Sequence, residues 1–107
     1  MRASQTFPTE TLADLIRRYR HTVEFTLQPG DAAVGKELRE IRRKLEEIGV
    51  DILRIVPLVR ETMWRDEIKK GEYDDYRLQI GDTIVLGTRG GILSRAVEYV
   101  INGKLET

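Results

Sequence analysis

Cysteine is absent from this chain of 107 residues, and histidine occurs once, at His21. Without a thiol there is no disulfide, no thiolate nucleophile and no cysteine-ligated zinc site. Net charge is missing as well. Eighteen Lys and Arg balance 18 Asp and Glu, so no global field draws in nucleic acid or an anionic membrane. No run approaches the ~18 apolar residues of a membrane span, and no signal-peptide apolar core opens the chain. The expectation is a soluble, cytoplasmic protein with no nucleic-acid partner and no direct membrane insertion.

What is present suits one small domain. A chain of this length buries roughly 65% of its unfolded surface, a thin margin that a partner subunit would improve. Charged residues make up 34% of the sequence, above the average of roughly 25%.

Residues 1–8 show no periodicity and read as a loose lead. Thr9 or Thr11 then caps a short helix with Leu12, Leu15, Ile16 and Tyr19 on one face, and Arg17, Arg18 and Arg20 toward its C-terminal end, where positive charge suits the helix dipole. From His21 to Gln28, Val23, Phe25 and Leu27 alternate with polar residues, which predicts a half-buried strand. Pro29-Gly30-Asp31 breaks it. A helix is predicted from Gly35 to Ile48, burying Leu38, Ile41, Leu45 and Ile48, with Gly49 as its C-terminal stop.

Val50 to Val59 is nearly continuous apolar sequence, interrupted by Asp51, Arg54 and Pro57, and predicts a central strand covered on both faces. Arg60 to Lys70 admits two readings, a short helix using Met63, Trp64 and Ile68 or a strand followed by a turn. Tyr76, Leu78 and Ile80 alternate with Arg77 and Gln79 as a further strand, and Gly81-Asp82 turns into the strand Thr83 to Gly87. Thr88 is placed to cap a last helix whose face is Ile92, Leu93, Ala96, Val97, Val100 and Ile101, closed by Asn102-Gly103. The fold class is α+β: a small, mostly antiparallel sheet with helices packed on it, in the order α-β-α-β-(α or β)-β-β-α.

Chemistry is sparse. His21 opens a strand with no carboxylate or serine motif beside it, and no nucleophile, base or metal set converges on any stretch, so a non-enzymatic role is expected. Glu72, Asp74 and Asp75 lack the graded spacing of a calcium loop and read as a solvated turn. Gly87-Thr88-Arg89-Gly90-Gly91 sits where a strand meets a helix, yet it lacks the P-loop lysine and the dinucleotide glycine pattern. Arg39, Arg42, Arg43 and Lys44 interleave with Glu37, Glu40, Glu46 and Glu47 as a solvated helix face.

Two anchors stand out: Gly35-Lys36-Glu37-Leu38-Arg39-Glu40-Ile41 and Gly81-Asp82-Thr83-Ile84-Val85-Leu86-Gly87. With the apolar strand between them, their order resembles the C-terminal regulatory domain of potassium-transport proteins, the TrkA-C or RCK C-terminal family, over roughly residues 21 to 101. The resemblance implies residues 1–20 as a lead with a short helix and 21–107 as a ligand-sensing regulatory domain controlling potassium or other cation transport. It further implies a homodimer, a membrane transporter or channel subunit as partner, and cyclic di-AMP or another nucleotide as ligand. The ligand residues carried over are Ile52, Arg54, Ile55, Val56 and Arg60, with Pro57 replacing the arginine that often follows the strand. An ACT-like small-molecule module and a pure dimerisation domain are the alternative readings.

Overall fold

In the computed structural model, residues 19–58, 62–90 and 92–104 are described. The proposed lead and helix before Tyr19 lie outside the described residues, as does Arg60. Within them the order is β1 (His21–Thr26), α1 (Leu38–Glu46), β2 (Val50–Val56), β3 (Met63–Trp64), α2 (Arg65–Lys69), β4 (Thr83–Thr88) and α3 (Leu93–Asn102). The four strands form one sheet in the order β1-β4-β2-β3. Each pairing is antiparallel, and the fold is α+β as expected.

β4 lies between β1 and β2, pairing Leu86 with Val23 on one side and with Ile52 on the other. Alternation then assigns the faces. Leu86, Ile84, Ile52 and Ile55 join Leu38, Ile41 and Leu45 of α1, Ile68 of α2, and Ala96, Tyr99 and Val100 of α3 in one buried core. All the described helices thus cover the same face of the sheet, the layering by which an antiparallel sheet buries one side.

α1 is shorter than the Gly35–Ile48 span the sequence suggests. Gly35 takes φ +88° in the preceding turn, and Glu37, with extended backbone, is the N-cap. Gly49, at φ +77°, ends the helix turn as anticipated, because a left-handed residue there costs little without a Cβ. The described part of the Arg60–Lys70 stretch, from residue 62 on, holds both readings in succession, a two-residue strand and then a five-residue helix. The Glu67 carboxylate accepts the Trp64 N–H at 3.4 Å and tethers that helix start, the return half of a capping box.

Tyr76 to Ile80 is a correction: it is not a strand of the sheet. Its backbone is claimed by the loop entering α1, with Gly35 N–H donating to Leu78 O at 2.7 Å, Leu78 N–H to Lys36 O at 3.0 Å and Leu38 N–H to Tyr76 O at 2.8 Å. These bonds leave a single bridge, Glu37 to Arg77, in place of a ladder. Asp82 anchors the arrangement. Its carboxylate is 1% exposed and accepts the Leu58 N–H at 3.1 Å, the Gln79 N–H at 2.9 Å and the Tyr76 hydroxyl at 2.7 Å. A buried carboxylate is tolerable when its lone pairs are so occupied. Asp82 thereby ties the second anchor to the segment that grips the first.

Thr88 likewise does not cap α3. It ends β4, where its hydroxyl donates to Gly49 O at 2.9 Å and accepts the Gly90 N–H at 3.2 Å. Asp74 is also no solvated turn residue, since it takes Arg42 of α1 at 2.6 Å. The opposite end of α3 closes as expected on Gly103, at φ +79°.

Candidate functional site

The second face of the sheet carries no described helix. β2 has a bulge here: the register with β4 slips between Ile52 and Arg54, leaving Leu53 as the extra residue. A bulge re-aims the side chains around it. Leu53 turns away from the main core and packs with Tyr19 and Val85 in a second buried cluster, flanked by Trp64. Arg54 follows on the same face, opposite Trp64 of β3. Its guanidinium lies 4.7 Å from the centre of the indole.

That stack is the polar chemistry Arg54 has among the described residues. No carboxylate of the described residues forms an ion pair with it, and its Nε is buried without a hydrogen-bond partner among them. Leaving a guanidinium N–H dry is costly, while the ring face repays part of that cost electrostatically.

Beside it, Tyr19 lies across Gly87. A Cβ on Gly87 would stand 3.0 Å from Tyr19 Cγ and 2.7 Å from Leu53 Cδ1, so glycine is what lets the ring approach the strand. The Tyr19 hydroxyl donates to Asp51 Oδ2 at 2.9 Å. Burial, and then that carboxylate, raise the phenol above its usual range, which keeps it a neutral donor. Arg89 and Arg65 place their guanidiniums 5.2 Å and 5.9 Å from the Tyr19 ring centre, and Arg65 is 3.8 Å from Asp51. Glu24 of β1, opposite Val85, also stands on this face. The result is a surface of arginines and aromatic rings holding two carboxylates, suited to a planar or anionic ligand gripped by guanidinium and indole together.

Of the residues that resemblance points to, Arg54 and Val56 share this face. Ile52 and Ile55 do not, for both are buried beneath the helices in the main core. In their place stand Leu53, Trp64, Tyr19, Arg65 and Arg89, which the sequence reading did not assign to a ligand. Trp64-Arg65 was a legible signal, being the chain's one tryptophan next to an arginine. The bulge that turns Arg54 toward it was not legible.

His21 is exposed at the first position of the outer strand. No group of three or more His, Asp or Glu residues able to hold a metal occurs among the described residues. No helix among them is long and apolar enough to cross a membrane. No family model matches this chain, and no curated protein or solved structure matches it either.

Proposed function

We propose that this chain is a non-catalytic regulatory domain that senses an anionic ligand on the sheet face that carries no helix among the described residues, and so controls transport of potassium or another cation across a membrane. Arg54 carries the ligand part of the reading. A half-buried guanidinium stacked on Trp64, with one N–H unsatisfied and no carboxylate partner among the described residues, is the state expected of a group awaiting an anion. The transport part is supported by the order of the two anchors and by their coupling through Asp82. On this reading the ligand is cyclic di-AMP or another nucleotide, the domain works as a cytoplasmic homodimer, and its partner is a transporter or channel subunit. The ligand acts by favouring one of two conformations rather than by chemistry.

Thermal unfolding in the presence of nucleotides and cyclic dinucleotides tests the reading. A ligand at about 100 times its Kd adds about 2.7 kcal/mol, a rise of several degrees in Tm. Arg54→Ala is expected to abolish that rise while the ligand-free variant still melts cooperatively. If no phosphate-bearing compound shifts the wild type, or if the shift survives Arg54→Ala, the proposal fails.

A further inference from the structure

The sheet face turned away from the described helices is closed more tightly than those helices explain. Leu53 is 0% exposed, Val85 3% and Tyr19 5%, although α1, α2 and α3 all pack on the other side. An antiparallel sheet with one bare face shows that face to water. Trp64 packs beside the three, and the guanidiniums of Arg89 and Arg65 approach the Tyr19 ring. These groups take part of the cluster's surface, and the remainder calls for a further layer. The near-continuous apolar run from Val50 to Val59 independently asks for cover on both faces of β2.

The chain supplies an occupant at that spot. Arg20 N–H donates to Thr88 O at 2.9 Å and the backbone bends at Tyr19 and Arg20, so the residues before Tyr19 depart from a fixed point on this face. Leu12, Leu15, Ile16 and Tyr19 follow one another at steps of three, one and three, the spacing of a single stripe on a helix. Tyr19 closes that stripe, and its ring lies on the sheet over Gly87. The rest of the stripe is therefore directed at the same face. Length agrees as well: ten residues of helix run about 15 Å, and three steps of about 4.8 Å between four strands make the sheet about 14 Å across.

We infer that residues 9–18, which lie outside the described residues, dock as a helix across this face of their own chain, with Leu12, Leu15 and Ile16 on Leu53 and Val85. The sheet is then sandwiched between helices on both sides. A tether that ends at Tyr19 gives this segment a high effective concentration at the face, which a second copy of the chain at micromolar concentration does not have. Glu10 and Asp14 fall on the outer side of such a helix, so it brings no carboxylate to Arg54. The inference rests on apolar burial and does not depend on the ligand reading.

Methyl NOE spectra of the full, unaltered chain test the docking with no nucleotide present, so failure of the ligand proposal leaves the result standing. Contacts are expected between methyl groups of Leu12, Leu15 or Ile16 and those of Leu53 and Val85. In a mixture of two differently labelled populations of the chain, the same contacts are expected to be absent between chains. Leu15→Asp and Ile16→Asp should each lower Tm by several degrees and shift the emission of Trp64, the chain's one tryptophan, to longer wavelength. Asp14→Ala, on the outer side, should change neither. The absence of any contact from residues 12–16 to this face, contacts found only between chains, or an equal response to Asp14→Ala and to the two Asp substitutions would each overturn the inference.

Discussion

Asp82 illustrates how one side chain organises three segments. Its carboxylate holds Leu58 after β2, Gln79 in the extended segment and the hydroxyl of Tyr76. Burial and this bond raise the Tyr76 phenol well above its ordinary value, and burial also raises Tyr19, helped by Asp51, and Tyr99, helped by Glu40 and Glu47. The sign of the linkage follows. A phenol whose folded pKa exceeds its unfolded value of 10.0 keeps its proton in the folded state when the unfolded chain has lost it. Folding stability from these groups is therefore complete below about pH 10 and declines as pH rises through that value toward the folded pKa. Spectrophotometric titration is expected to show less phenolate in the native protein than in the denatured chain just above pH 10. Asp82→Ala should restore Tyr76 toward ordinary titration. It should also cost about 3 kcal/mol or more in denaturant unfolding, since two backbone N–H groups and a hydroxyl lose a charged acceptor. Native and denatured curves that superimpose would contradict this account.

The elements show the same dependence on close approach. Gly87 sits in the middle of the sheet beneath Tyr19 and Leu53, at distances of 3.0 Å and 2.7 Å for an added Cβ, whereas an added Cβ on Gly90 meets nothing within 4 Å. Gly87→Ala is expected to lose roughly 1–3 kcal/mol by overpacking and to weaken the Tyr19–Asp51 bond. Gly90→Ala should stay within about 0.5 kcal/mol of wild type. Equal midpoints in a denaturant titration of the two variants would show that the ring does not need the strand's bare backbone. Strand alternation in β1 and the stop at Gly49 were open to reading from the sequence, because each is a local property of spacing or of one residue's φ. The bulge at Leu53 was not, because it exists only as a mismatch between β2 and β4.

For the whole molecule, the apolar face predicted for α3 is only partly used. Ala96, Tyr99 and Val100 are buried, while Ile92 and Ile101 remain 54% and 40% exposed, and the outer edge of β1 has no strand partner among the described residues. A homodimer is expected to cover such surface. Light scattering at micromolar concentration should report about twice the chain mass of 12.4 kDa, and a clean monomer would remove both the dimer and any site shared between subunits.

By itself the sequence determined the α+β class and the faces of β1 and α1, since these follow from apolar periodicity and glycine position within a few residues, whereas the covering of β2 on both faces that its apolar run predicts is not what the described residues show, all their helices lying on one face. It also exposed Arg54 as a charge in an apolar strand that needed an explanation. Tertiary structure alone decided the rest. Tyr76 to Ile80 had the pattern of a strand, but its backbone groups are taken by the loop from Gly35 into α1, which leaves them no ladder with the sheet. Ile52 and Arg54 differ by an even step that places both on one face of a regular strand. One unpaired residue between them reverses that parity, sending Ile52 into the core and Arg54 onto Trp64.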